Sequence, residues 1–183
     1  MSQLGVPTTA MGRILAFAPS FANRYKVELP VTYGLNLDQL ELLCDAVTLP
    51  GRNISTSEYP NGSQLKKYPY SYIEDDVTMT FLETKDYNIR KYFDKWMKNI
   101  IDTDKYRVGY KNSDPSDSKR EHFAHDIKIR PLSRKGEHAY GVNLEQAFPT
   151  TLNAVDFSNG ADEIVRITVT FAYDRYTVLS SKS

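Results

Sequence analysis

Val165-Arg166-Ile167-Thr168-Val169-Thr170-Phe171-Ala172-Tyr173 decides the reading of the fold. The odd positions are Val, Ile, Val, Phe and Tyr; the even positions are Arg, Thr, Thr and Ala. A strand points successive side chains to opposite faces, so this alternation predicts a β-strand. Its odd face belongs on a core and its even face toward water or a pore. Asp76 to Phe81 repeats the pattern, with Val77, Met79 and Phe81 against Thr78 and Thr80. Weaker versions lie at Tyr25–Leu29, Leu40–Val47, Phe123–Ile129 and Tyr140–Ala147, the last two placed to pair as a hairpin around Gly136. Tyr59-Pro60-Asn61-Gly62 predicts a short hairpin, because Asn and Gly tolerate the positive φ of a tight turn.

Between these strands the period changes. Ile89, Phe93, Trp96 and Ile100 fall at i, i+4, i+7 and i+11, and Arg90, Lys91, Asp94, Lys95 and Lys98 fill the opposite face. This is one amphipathic helix of about 15 residues, with Thr84 or Asp86 placed to cap its start. Many strands and one helix give a mainly-β class, a sandwich or small barrel. Thr103 to Glu121 is polar and rich in turn formers, a mobile or functional loop.

The 183 residues suit one domain, and 23 Lys and Arg offset 23 Asp and Glu. Zero net charge favours association and argues against a protein that grips nucleic acid by its phosphates. The single cysteine, Cys44, excludes an intrachain disulfide and sits in an apolar run as a buried, inert thiol. The apolar patch at Ile14–Ala18 is too short for a leader or a span, so synthesis in the cytoplasm and no membrane embedding are expected. Thirteen tyrosines suit contact surfaces.

Chemistry is mostly absent from the pattern. His122 and His125 stand on opposite faces if extended, and no further ligands complete a metal set. Asp114, Asp117 and Glu121 lack the glycine of a calcium loop, and Pro115 interrupts them. No phosphate loop, nucleophile elbow or dinucleotide fingerprint occurs. No catalytic residue, metal or cofactor is expected. Tyr68, Tyr70 and Tyr72 share a face of an extended chain, and Pro69 points to an edge strand or loop. They serve either as core cover or as a contact surface.

Taken in order, these pieces resemble a known family. Ala22-Asn23-Arg24-Tyr25-Lys26-Val27-Glu28-Leu29 resembles the opening strand of the tail tube proteins of contractile-tailed, T-even-type bacteriophages. Leu43-Cys44-Asp45-Ala46-Val47-Thr48-Leu49-Pro50-Gly51 is similar to the family's strand ending in an Ala-x-x-Leu-Pro-Gly-like turn. The hairpin with Tyr59 and Gly62 follows, then residues 76–81 leading into the helix with Phe93 and Trp96. Phe148-Pro149-Thr150, Asp156-Phe157-Ser158-Asn159 and the last strand running into Tyr173-Asp174-Arg175-Tyr176 resemble its closing motif. The N-terminal 20 residues and the loop 103–121 match no part of the pattern.

The resemblance implies two packed antiparallel sheets with one flanking helix. It implies one tail-tube domain over 1–183, carrying an N-terminal arm 1–20 and a flexible loop 103–121. It further implies a non-enzymatic subunit of hexameric rings. These stack into the inner tube of the virion tail, which conducts DNA during ejection and is driven through the host envelope by sheath contraction. The implied partners are the sheath, baseplate, tail terminator and tape measure proteins and passing DNA. Two related roles stay open: a baseplate or tube-initiator or terminator subunit, and the inner tube of a phage-derived injection system. So does a stand-alone β-sandwich binding module or enzyme, which would show a deep pocket with convergent polar groups.

Tyr59, Asn61, Gly62, Tyr68, Tyr70 and Tyr72 are the expected stacking contacts. A channel must not grip, since binding six to ten phosphates makes affinity vary roughly 10³–10⁵-fold with moderate salt. Two sets of residues qualify for its lining: Arg166, Thr168 and Thr170, or Asp126, Lys128, Asn143 and Glu145. Either an acidic neighbour such as Asp162 or Glu163 neutralises Arg166, or this strand does not face the channel.

Overall fold

The computed structural model describes residues 22–33, 41–61, 64–105, 107–109, 111, 122–132, 140–155 and 164–179. In chain order these form β1 (Tyr25–Glu28), a 3-10 turn at Val31–Tyr33, β2 (Cys44–Val47), β3 (Arg52–Asn61), β4 (Gln64–Glu74), β5 (Val77–Leu82) and α1 (Asn88–Ile100). There follow β6 (Ile101–Asp102), β7 (Arg107–Val108), β8 (His125–Pro131), β9 (Val142–Leu152), β10 (Arg166–Ala172) and β11 (Arg175–Val178).

One hydrogen-bonded path, β1-β8-β9-β10-β5-β2, supplies two layers because β9 belongs to both. Residues 142–147 of β9 pair with β8, and β11 joins β9 over 142–145. Residues 148–152 pair with β10, which continues to β5 and β2. The change of sheet falls at Gln146, whose φ is 55°. Bends and bulges of this kind let one strand turn a sandwich corner. All the pairings are antiparallel. The expected two packed antiparallel sheets with a flanking helix are therefore present.

The alternating residues do what their period requires. Val77, Met79 and Phe81 of β5 and Ile167, Val169 and Phe171 of β10 are buried on one inner face. Val27, Ile127, Ile129, Val142 and Leu144 are buried on the other. Ile89, Tyr92, Phe93 and Trp96 of α1 complete the same cluster, with Ile100 only partly buried at its rim. The ring of Phe93 meets Phe81 and Phe171 at 5.3 and 6.0 Å between centroids, and Trp96 stacks on Tyr33 at 5.3 Å. The Trp96 Nε1–H, buried with its ring, donates to the Phe123 carbonyl at 2.6 Å.

The helix start differs from expectation. Thr84 accepts the Asn88 N–H through Oγ1 at 3.3 Å, but Asp86 accepts none of the first-turn N–H groups. The main cap is Glu83, the residue after β5. Its carboxylate accepts the N–H groups of Thr84, Ile89 and Arg90 at 2.8, 3.2 and 2.9 Å. A carboxylate at this end satisfies orphan donors and meets the positive pole of the helix.

The strand expected over 40–47 begins only at Cys44, residues 41–43 being helical. Cys44 itself is half-buried, not fully enclosed. Burial pushes its thiol up to about 11, so it is protonated and inert at neutral pH. The N-terminal arm, Gly62, Gly136, Asp114, Asp117, Glu121, Asp162, Glu163 and the 156–159 turn lie outside the described residues, as does most of the 103–121 loop. The part of that loop that is described pairs β6 with β7.

Candidate assembly surfaces

Three surfaces gather the candidate residues. The first is the outer face of the β2-β5-β10-β9 layer. Cross-strand register sets Thr168 opposite Thr80, and Thr170 opposite Thr78 on one side and Thr151 on the other. The Thr80 and Thr168 hydroxyls meet at 3.3 Å. Thr48 extends the row beyond β2, its Oγ1 accepting the Thr78 N–H at 2.9 Å. The even positions of the two strands that led the sequence reading thus form one threonine face, polar and uncharged over its centre.

Arg166 stands at the edge of that face. Its partner is Asp45 of β2, at 3.1 Å between Nε and Oδ2. Asp162 and Glu163, its close neighbours in sequence, lie outside the described residues. Asp45 comes from 121 residues away because β2 lies across β5 from β10.

The second surface is the outer face of the β1-β8-β9-β11 layer, and it brings Asp126, Lys128, Asn143 and Glu145 together. Asp126 accepts the Asn143 Nδ2–H at 3.3 Å and the Gln146 N–H at 3.2 Å. Lys128 lies between Glu28 and Asn143 in register. Glu145 pairs with Arg175 and Glu28 with Arg130, both at 2.6 Å. This face is laced with charge where the first is not.

The third is the β3–β4 hairpin. In place of a short turn, ten and eleven residues pair from Arg52↔Glu74 to Asn61↔Gln64, and among the described residues no other strand joins them. Ile54, Tyr59, Leu65, Tyr68, Tyr70, Tyr72 and Ile73 are all more than half exposed. The expected sharing of a face by three tyrosines fails. A register shift pairs Ser55 with Ser71 but Thr56 with Pro69, leaving Tyr70 as an extra residue. Tyr68 is then opposite Ser57 and Tyr72 opposite Ile54. Positions 54 and 57 face opposite sides of β3, so Tyr68 and Tyr72 do as well. Pro69, which cannot donate to a ladder, sits at that irregularity. At the hairpin base the Arg52 guanidinium lies 5.1 and 4.5 Å from the ring centres of Tyr72 and Tyr176 and bonds Glu74 at 2.7 Å.

The family model of the phage tail tube protein matches residues 19–179. The chain belongs to the phage tail tube protein family. No curated protein matches it by sequence. Among solved structures, this tail tube family member is similar to the tube-terminating cap of the anti-feeding prophage, with 20% identity, 89% of this chain and 92% of that one covered, and a TM-score of 0.64. It is similar to a chain of the sheath–tube complex of the PVC extracellular contractile injection system in its extended state, with 18% identity, 94% and 99% coverage, and a TM-score of 0.64. A chain of the anti-feeding prophage baseplate gives 12% identity, 90% and 98% coverage, and 0.65. At these identities the likeness is one of fold.

The tail tube family is structural. His125 Nε2 meets the Tyr33 hydroxyl at 3.0 Å, and its ring lies edge-on to Trp96. Among the described residues no three His, Cys, Asp or Glu side chains are grouped to hold a metal, and no helix is long and apolar enough to cross a membrane. A groove beside the helix start, walled by Leu42, Leu43, Ile89 and the 84–88 turn, is mainly apolar. The sequence reading missed Glu83, Asp45 and the length of the hairpin. An acidic residue four to six positions before an apolar stripe was the available signal for Glu83; nothing local announces Asp45.

Proposed function

We propose that this chain is the tube subunit of a contractile particle, a single tail-tube domain that closes into hexameric rings and stacks them into a conduit. The observation that carries this reading is the uncharged threonine face on a sheet neither of whose edges pairs with a further described strand. One edge is the four-residue β2; the other is residues 148–152 of β9, alongside which β8 does not reach. Pairing such edges between subunits closes a barrel and removes templates for disordered aggregation. The threonine face then lines the lumen, with Arg166, Thr168 and Thr170 in it. Asp126, Lys128, Asn143 and Glu145 lie outside it, toward neighbouring subunits.

The hairpin carries the axial contacts. A two-stranded ribbon is marginal alone in water, and its exposed Tyr, Ile and Leu side chains gain most by docking on the next ring. The sheath surrounds this tube, the baseplate and terminator bound its ends, and the tape measure protein and then DNA occupy its lumen. The tube belongs to the particle, is assembled in the host cytoplasm, and requires no cofactor or catalysis.

A second reading is a ring subunit at one end of the tube or the tube of a phage-derived injection system. It is favoured by fold likeness to the cap equal to that for the sheath–tube complex. Negative-stain microscopy of the purified protein separates a tube subunit, of a phage or of an injection system, from an end ring. Long tubes of constant diameter with six-fold end views support the tube subunit. Isolated single rings at high protein concentration support the cap, and a persistent monomer removes both.

A further inference from the structure

We infer that Asp45 is the residue that keeps the proposed channel from gripping polyanions, by masking Arg166; this rests on the threonine face lining the lumen. Along β2, β5, β10 and residues 148–152 of β9, the outward positions are Thr, Ala, Leu and Phe apart from two charges, Arg166 and Asp45. Arg166 is about half exposed, and left alone it would set one guanidinium per subunit around every ring. Guanidinium is the side chain best suited to bidentate phosphate contact.

The placement of Asp45 needs a specific irregularity. Cys44 is opposite Phe81 and Ala46 is opposite Thr80, so Asp45 is an extra residue in β2. In a regular strand Asp45 would alternate to the face opposite Ala46, toward the core. The inserted residue instead leaves Asp45 exposed on the threonine side, where its carboxylate reaches the Arg166 Nε at 3.1 Å across β5. A half-exposed ion pair adds little to stability. Its effect is on the field: the ring of cations becomes a ring of dipoles, and a passing phosphate meets no unpaired guanidinium.

The test uses assembled tubes of the full chain with short duplex DNA, measuring the amount retained after washing at about 50 and 200 mM salt. Wild-type tubes should retain none above background. Asp45→Asn tubes should retain DNA at low salt, and engagement of only two phosphates lowers retention about tenfold between the two salts. Asp45→Asn with Arg166→Gln should return to background. Thr168→Lys adds a cation to the same face without touching the pair, so it should also create salt-sensitive retention and serves if Asp45→Asn does not assemble. Asp45→Asn tubes that are less stable yet hold no DNA would reduce Asp45 to an edge-strand device and overturn the inference. Retention that persists in the double variant would overturn it too. If Asp45→Asn and Thr168→Lys tubes both form and neither retains DNA, the face is not the lumen. If the wild-type chain forms neither tubes nor rings, the functional reading falls with the inference.

Discussion

Trp96 shows most directly how one residue holds this subunit together. It is fully buried, stacks on Tyr33 and spends its only polar hydrogen on the Phe123 carbonyl. Trp96→Ala should cost about 3–5 kcal/mol in denaturant unfolding, through lost burial and the cavity left behind. Glu83→Ala should cost about 1–2 kcal/mol by the same measurement, since two first-turn N–H groups, of Ile89 and Arg90, and that of Thr84 lose their acceptor. His125 makes a pH-dependent contribution. Burial and then the neighbouring His122 hold it below its ordinary value of 6.5, against an opposing pull from Asp126. The unfolded chain therefore binds the proton first. The contribution is fully present above about pH 6.5 and is lost as pH falls toward the folded-state value. His125→Gln should flatten the fall in melting temperature between about pH 7 and pH 5; an unchanged slope would assign that fall to the carboxylates alone.

Among the elements, the β3–β4 hairpin and the bend in β9 behave differently. The hairpin contributes no residue to the buried cluster, so the core does not depend on it. Deleting Ser57 to Lys66 should leave a cooperatively folded subunit with near-normal circular dichroism that no longer stacks into long tubes. Long tubes from this variant would move the axial contacts to the N-terminal arm or the 103–121 loop. The bend is the opposite case, strained but central. Gln146 holds φ 55° while its N–H donates to Asp126. A residue with a Cβ pays about 1–2 kcal/mol for that conformation. Gln146→Gly should leave stability unchanged or raise it by about 1 kcal/mol, whereas Gln146→Val should lower it, as read by thermal melts.

For the whole molecule, the division between a packed sandwich and an exposed ribbon predicts what assembly protects. In dispersed subunits, backbone amides of 77–82 and 166–172 should exchange slowly with deuterium and those of 52–61 and 64–74 quickly. In tubes the hairpin amides should slow by at least about tenfold while the sandwich changes little. Equal protection of the hairpin in both forms would mean that it is already covered in the subunit. Balanced total charge is a weak guide at this scale. The same zero is reached with one sheet face laced by ion pairs and the other carrying a single pair among threonines, and only the second suits a conduit.

How much of this was legible in the sequence follows from where each residue spends its free energy. Residues 77–82 and 166–172 have one face on the core, and Ile89, Phe93 and Trp96 one stripe on it, so burial writes their period into the chain. The two-layer class and the threonine stripe follow from that local rule. The hairpin does not obey it. Both of its faces are exposed, so no alternation was needed, and its length came only from the pairing of residues 52–61 with 64–74. Splitting Tyr68 from Tyr72 required a single extra residue, which flips every side chain beyond it. The Asp45–Arg166 pair was equally hidden. Two charges 121 positions apart meet only because β5 lies between their strands, a fact of sheet order that no local period encodes.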